Sequence, residues 1–213
     1  MHMLSLDGPT TVLPLALLAD LKAELGISDT SNDTQLSDRL LEASALVLDF
    51  IGRPVLSGQW TEEFVIEGGD HLKEISLAVR PLASISSFSR NGQDWTQDQI
   101  DSLVLDRRAG LLSRSTHGRW WPHGMYVAVY TAGYTPPEVA QDGTVTKGTL
   151  PITISRATVL AAASMMQGIG RDLNLKSESV QGVGSTSWNI ASGTGGLPQQ
   201  VADMLLSYQG RNL

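Results

Sequence analysis

The chain has 213 residues, of which 41% are hydrophobic and 17% charged, and its net charge is −7. This composition is typical of a globular protein, and a chain of this length can bury roughly 70% of its unfolded surface. The lack of cysteine excludes disulfides, a thiol nucleophile and cysteine-ligated metals, and the negative charge argues against nonspecific wrapping of nucleic acid.

The sequence also argues against a membrane protein. No apolar run reaches about 18 residues, the length that a membrane-spanning helix needs. Residues 1–14 have neither the basic start nor the cleavable apolar stretch of a signal peptide. We therefore expect no signal peptide, and production of the chain in the cytoplasm.

Two helices are predicted near the N-terminus. The first, over residues 14–25, repeats leucine at helical spacing and is followed by a glycine suited to a C-terminal cap. The second, over residues 33–51, carries a longer apolar face and stops at Gly52. Asn32 and Gln35 have the spacing of a capping box at the start of this second helix.

From about residue 59 the hydrophobic period changes from helical to two, which predicts an antiparallel sheet. The segments with this strand-like pattern are 60–66, 75–79, 85–88, 103–105, 111–112 and 125–131. Asn91 and Gly92 predict one hairpin turn because both residues tolerate positive φ, and residues 106–110 predict a second turn.

The last third of the chain is predicted to return to helix. Residues 132–149 hold several turn signals and read as a loop with one small hairpin around Asp142 and Gly143. A helix is predicted from Pro151 to Gly168 or Gly170. Residues 176–196 are rich in glycine and serine and read as flexible, and residues 197–208 predict a final helix.

These elements define an α+β fold. We expect a helical bundle formed by the N- and C-terminal helices, with an inserted antiparallel β subdomain. The expected divisions are residues 1–58 for the N-terminal helices, 59–149 for the β subdomain with its loop, and 150–213 for the C-terminal helices.

No motif in the sequence predicts a cofactor or metal site. Gly168 and Gly170 follow a helix and lack the third glycine of a dinucleotide fingerprint, and no Walker-type motif occurs. Asp29 to Asp33 resembles the start of a calcium loop, but Thr34 stands where that loop needs glycine. We expect no cofactor, no metal and, without a nucleophile elbow around any serine, no catalytic residue.

The region around two adjacent tryptophans allows more than one interpretation. His117 and His123 bracket Trp120 and Trp121, which could indicate a metal pair or a platform for stacking bases. The interpretation we favour is a strand-connecting loop with buried tryptophans. A loosely basic stretch lies in the same region, and it is either a solvated face or a partner contact. Its members are Arg107, Arg108, Arg114 and Arg119.

Several short sequences, in their order along the chain, resemble the head-to-tail connector, or adaptor, proteins of long-tailed bacteriophages and gene transfer agents. The resemblance spans most of the chain, and the order of the pieces is more specific than any one of them. The pieces are residues 18–27, 36–54, 80–82, 127–134, 150–151, 177–180 and 197–208. The long sheet insertion of residues 59–131 and the extended loop of residues 134–149 depart from the family pattern.

The resemblance implies a non-enzymatic virion protein at the head–tail junction. Twelve copies would form a ring between the portal and the stopper or tail, and double-stranded DNA would pass through without sequence-specific binding. The C-terminal segment would contact the portal, with Trp188, Tyr208, Arg211 and Leu213 as candidates. The basic residues Arg107, Arg108, Arg114 and Arg119 would be candidates for the contact with the stopper or tail.

Two alternatives stay open at this stage. One is a stopper or tail-terminator protein of the same neck, although those are usually richer in sheet. The other is a DNA-handling enzyme with a site near residues 117–123, which zinc binding or nuclease activity would reveal.

Overall fold

The structure, a computed structural model, describes residues 1–114, 119–140, 142–167, 177–180, 184–187 and 196–209. The chain divides into two compact units. The sheet unit comprises residues 1–11 and 54–135, and the helical unit comprises residues 12–53 and 136–213. Antiparallel sheets and helices together are consistent with the expected α+β class.

The helices and strands follow one another along the chain in a mixed order. In sequence they are β1 (His2–Asp7), α1 (Leu18–Leu25), α2 (Asp33–Ile51), β2 (Gly58–Ile66), β3 (Glu74–Ser76), β4 (Leu82–Arg90), β5 (Gln93–Asp94), α3 (Gln97–Asp101), β6 (Val104–Asp106), β7 (Leu111–Ser113), β8 (Gly124–Ala132), β9 (Glu138–Val139), β10 (Val145–Thr146), α4 (Ile152–Gln167), β11 (Ser177–Val180), β12 (Gly184–Ser187), α5 (Gln199–Leu205) and a 3-10 turn (Leu206–Tyr208).

A five-stranded antiparallel sheet forms the main part of the sheet unit, in the order β1-β2-β8-β4-β5. Strands β2 and β8 pair along their whole length, so that Trp60 lies opposite Tyr130 and Phe64 opposite Tyr126. Alternate residues of both strands are buried, as the period of two predicts. The pairing therefore places large aromatic side chains on one face, which becomes the core.

A smaller antiparallel sheet, in the order β3-β7-β6, belongs to the same unit. Leu112 at its centre lies opposite Ile75 on one side and Leu105 on the other. Ile75 and Leu112 are fully buried and belong to the same hydrophobic cluster as Phe64 and Phe88 of the larger sheet. Both sheets of this unit therefore share one core.

A close backbone contact fixes the end of β8. The N–H of Tyr134 donates to the carbonyl of Val55 at 2.8 Å, and the N–H of Ser57 donates to the carbonyl of Tyr134 at 2.8 Å. Gly133 lies between them with a φ of +107°, and an added Cβ would approach the carbonyl oxygen of Leu56 to 2.4 Å. Glycine is therefore required at this position.

In the helical unit, α2 contacts α1, α4 and α5, and α4 also contacts α1 and α5. Fully buried side chains of α2 and α4 include Leu36, Val47, Ile154 and Ala157. The segment before α1 is held to α2 because the backbone N–H of Leu15 donates to the Ser44 hydroxyl at 3.0 Å. Apolar faces at helical spacing thus become buried, as the sequence pattern predicts.

The structure corrects two details of the sequence interpretation at the N-terminal side. Helix α1 begins at Leu18 and not at residue 14. The side chain of Asn32 makes no capping hydrogen bond at the start of α2. A capping box does form at α3, where Thr96 and Gln99 exchange side-chain and backbone hydrogen bonds.

Four other elements are not predicted from the sequence. Strand β1 joins the edge of the larger sheet, within the segment 1–58 that the sequence suggested was helical. Helix α3 connects β5 to β6. Strands β11 and β12 pair in antiparallel fashion inside the segment 176–196, which the sequence predicts to be flexible.

None of the helices in the described part of the chain has the length and apolarity that a membrane crossing requires.

Candidate functional site

Some of the basic residues in and next to the β6–β7 hairpin make hydrogen bonds to backbone groups. The turn is fixed to β4, since the N–H of Leu82 donates to the carbonyl of Arg107 at 2.7 Å and the Arg107 guanidinium donates to the carbonyl of Ala83. Arg108 is exposed. Arg114 follows β7 and is half-buried, and its guanidinium donates to the carbonyl of Trp120 at 3.3 Å. The side chains of Arg107 and Arg114 therefore hold the backbone at Ala83 and Trp120, whereas Arg108 is exposed to solvent.

Trp120 is the centre of a surface on which aromatic and basic groups meet. Its side chain is 51% exposed. The ammonium of Lys73 lies 5.2 Å from the centre of the Trp120 ring, within the range of a cation–π interaction. The ring of His71 makes an edge contact with Trp120 at 5.3 Å between ring centres. We call His71, Lys73, Arg114 and Trp120, together with the exposed Arg119 that precedes Trp120 in sequence, the Trp120 surface.

Trp121 takes the opposite environment from its neighbour. Its side chain is 2% exposed and stacks on Trp95, with 5.9 Å between the ring centres. Its backbone N–H donates to the carbonyl of Leu72 at 2.8 Å. Its indole Nε1 has no hydrogen-bond partner among the residues that the structure describes. Trp121 thus anchors this segment in the core and holds Trp120 at the surface.

The expectation of two buried tryptophans is therefore correct for Trp121 and wrong for Trp120. Consecutive side chains in an extended segment point to opposite sides, so one of the two faces solvent. His117 lies outside the described residues, and His123 is exposed. Within the described residues, no three His, Asp or Glu side chains are placed so that they could hold a metal ion.

A buried carboxyl group lies in the core of the sheet unit. Glu62 is 1% exposed and accepts hydrogen bonds from the backbone N–H of Ala78 at 2.9 Å and from the Tyr130 hydroxyl at 2.7 Å. The loss of hydration on burial raises the pKa of Glu62. The Tyr130 hydroxyl also accepts a hydrogen bond from the N–H of Val79 at 3.3 Å. These hydrogen bonds join β2, β8 and the segment after β3, which is a structural role.

The helical unit has an apolar groove with a volume of about 340 Å³. Its walls come from residues 13–18 other than Leu15, from two residues of α2, and from residues 136–139. Of the lining side chains, only Ser37 and Glu138 are polar. Leu13 and Val139 at this groove are 44% and 53% exposed, so its walls continue as an apolar surface. The sequence does not reveal this groove because its walls come from three separate segments.

The four C-terminal candidates are described only in part. Trp188, Arg211 and Leu213 lie outside the described residues. Tyr208 is half-buried in the 3-10 turn, and its carbonyl accepts a hydrogen bond of 2.8 Å from Nε of Arg53, just after α2. The side-chain amide of Gln209 donates to the carbonyl of Phe50 at 3.2 Å. The chain is therefore fixed to the end of α2 up to Gln209.

Comparison with solved structures finds chains of similar fold in gene transfer agent (GTA) particles. One belongs to the neck of an empty GTA particle computed with C6 symmetry, with a TM-score of 0.54 and 15% sequence identity. A second belongs to the virion of a native GTA particle, with a TM-score of 0.53 and 14% identity. A third belongs to the neck of a native GTA particle computed with C12 symmetry, with a TM-score of 0.50 and 14% identity.

Each of these likenesses covers 99% of this chain and 97% of the other chain. At such low identity the likeness shows the fold alone. No protein-family model and no curated protein sequence matches this chain. The class that emerges is thus an α+β chain whose fold is similar, over nearly its whole length, to that of chains in GTA necks.

Proposed function

We propose that this chain is a head-to-tail connector, or adaptor, subunit in the neck of a tailed-phage-like particle. Twelve copies form a ring between the portal and the stopper or tail, with the helices of the two chain ends as a bundle and the sheet unit inserted. The observation that carries this proposal is the fold likeness to neck chains over 99% of this chain and 97% of theirs. Both units are therefore included in the likeness, which a shared single motif would not produce.

The charge of the chain suits a ring through which DNA passes. Each copy has a net charge of −7, so a ring presents a strongly acidic assembly to the DNA phosphates. Acidic side chains along a channel repel the phosphate backbone and keep DNA from adhering. Replacing exposed acidic side chains that face the channel by lysine should slow DNA ejection, and unchanged ejection kinetics would count against this role.

We propose two sets of residues for the contacts with neighbouring rings. We assign the portal contact to the C-terminal residues Trp188, Tyr208, Arg211 and Leu213. We assign the stopper or tail contact to the Trp120 surface together with Arg107 and Arg108. Tryptophan and arginine are the residue types that most often dominate binding energy at protein interfaces. An exposed tryptophan beside basic groups fits such a contact better than it fits a solvated loop.

A truncation that leaves the fold intact tests the portal contact. Removing residues 197–213 would also remove α5, whose Val201, Ala202 and Leu205 are buried, so the helical unit itself would be damaged. Removing only residues 210–213 spares α5 and the hydrogen bonds of Tyr208 and Gln209. We expect this shorter truncation to give DNA-filled heads that leak and lack tails.

The assignment to the neck is tested on purified particles. Mass spectrometry should find the chain in virions, and electron microscopy should locate it as a ring at the head–tail junction. Normal tailed virions formed without this chain would contradict the proposed function.

A further inference from the structure

The apolar groove of the helical unit lacks an occupant among the residues that the structure describes. Its walls are leucine, alanine, proline and valine, with Ser37 and Glu138 as the polar exceptions. A volume of about 340 Å³ can accept one or two aliphatic side chains with the atoms that carry them. An apolar groove with this much exposed wall indicates a binding site for an apolar group.

The same unit carries an aliphatic side chain that is almost fully exposed. Ile152 is 83% exposed, which is the highest value among the large hydrophobic side chains of the described residues. It is the first residue of α4, a helix of 16 residues. It does not line the groove of its own chain. Ile152 is therefore an exposed apolar projection at the start of α4.

The charges around the two features are opposite. The start of α4, where Ile152 lies, carries the positive end of the helix dipole. On the groove side, Glu138 is part of the wall, and Asp38 follows the groove residue Ser37 on α2. Glu138 and Asp38 are both exposed. A positive projection and an acidic groove attract each other between two copies of one chain.

We propose that the groove receives Ile152 of a second copy of this chain. Each copy then inserts Ile152 at the start of its α4 into the groove of one neighbour. Its own groove receives Ile152 of the other neighbour. Such head-to-tail contacts between different patches of identical chains generate a ring when the rotation closes. The inference rests on the proposed function, because it names the contact that would hold the ring together.

The absence of cysteine from the chain allows a direct cross-linking test. Two single variants, Ile152→Cys and Val139→Cys, would be made on chains of different length, so that mixed dimers are recognised on a denaturing gel. The two variants would be co-assembled into particles and then oxidised. We expect a disulfide dimer containing one chain of each length. Because each chain has a single cysteine, no bond within one chain can produce this band.

Met125→Cys provides the matched control for the groove position. Met125 is 43% exposed, belongs to the sheet unit and does not line the groove. We expect Ile152→Cys and Met125→Cys to give no mixed dimer. Assembled rings that give no mixed dimer for Ile152 with Val139, or an equal yield for Met125, would overturn the inference.

A charge at the projection tests the same contact without cross-linking. Because Ile152 is 83% exposed, Ile152→Glu should leave the circular dichroism spectrum and unfolding of the chain unchanged. We expect Ile152→Glu to be lost from particle necks, whereas Met125→Glu is incorporated. Normal incorporation of Ile152→Glu would contradict the inference. If the unmodified chain forms neck rings but these tests fail, only this inference fails; if the unmodified chain is missing from necks, the proposed function fails.

Discussion

The hydroxyl of Tyr130 donates a hydrogen bond of 2.7 Å to the carboxyl of Glu62 inside the core of the sheet unit. Burial, followed by the nearby charge of Glu62, raises the pKa of Tyr130, so the phenol stays protonated as a donor. Burial also raises the pKa of Glu62, although its two hydrogen bonds favour the charged form. The pair connects β2 to β8, but burial removes the hydration of the carboxyl group, which costs free energy.

This relationship predicts how stability depends on pH. Because the pKa of Glu62 is higher in the folded than in the unfolded chain, its contribution is most favourable below the unfolded pKa and is lost as pH rises through the folded value. Glu62→Gln keeps an acceptor for Ala78 and Tyr130 but carries no charge. We expect the stability of this variant relative to the unmodified chain to increase as pH rises above the ordinary pKa of a glutamate, about 4.3.

The measurement is urea unfolding followed by tryptophan fluorescence at several pH values. The sheet unit contains four of the five tryptophans, so the signal reports mainly on this unit. Glu63→Gln, on the opposite face of the same strand, is the matched control. A stability difference between Glu62→Gln and the unmodified chain that does not change with pH would contradict the prediction.

The two adjacent tryptophans should respond very differently to truncation. Trp121→Ala removes a fully buried ring and should destabilise the sheet unit by about 3–5 kcal/mol. Trp120→Ala removes a half-exposed ring and should change stability by less than about 1 kcal/mol. Thermal unfolding of the two variants checks this difference. Equal losses would mean that Trp120 is part of the core and not of a binding surface.

Gly133 should tolerate no side chain. Its φ of +107° and the 2.4 Å approach of an added Cβ to the Leu56 carbonyl predict that Gly133→Ala is destabilised by at least about 1–3 kcal/mol. Gly68→Ala is the control, since an added Cβ there meets no atom within 4 Å and the backbone is not left-handed. Denaturant unfolding of both variants gives the comparison. A Gly133→Ala variant as stable as Gly68→Ala would refute the close contact.

Arg53 should hold the C-terminal 3-10 turn to the end of α2. Arg53→Ala removes the hydrogen bond to the Tyr208 carbonyl, a loss of about 1 kcal/mol, and frees the last residues for protease attack. Limited proteolysis with mass spectrometry should detect faster cleavage near Tyr208. Arg39→Ala, which loses only a surface ion pair with Glu42, should be cleaved at the unmodified rate. Equal cleavage of both variants would show that Arg53 does not hold this turn.

Elements with a strong and long hydrophobic period were predictable from the sequence. Residues 33–51 were predicted as a helix and form α2 with these bounds, and residues 125–131 form all but the ends of β8. Strand β1 was missed because its six residues are mostly exposed and its partner β2 lies more than 50 residues later. A hydrophobic period of two reveals a strand only when one face of that strand is buried, and almost no residue of β1 is buried.

The candidate surfaces were less predictable than the elements. Arg114 and Trp120 were recognised as notable residues, but the contacts of Trp120 with His71 and Lys73 arise only when β3 and β7 pair. The apolar groove combines segments almost 100 residues apart, from Leu40 to Pro137. Such sites depend on which segments meet in the fold, and local sequence patterns carry no information on that.

The edge position of β1 has a consequence for how this protein can be divided experimentally. Residues 54–135 are continuous in sequence but form only part of a compact unit, because the distant strand β1 completes it. A fragment starting at Pro54 would leave the outer backbone groups of β2 without partners, and such bare strands recruit other chains. Adding a peptide of residues 1–11 to this fragment should restore its solubility.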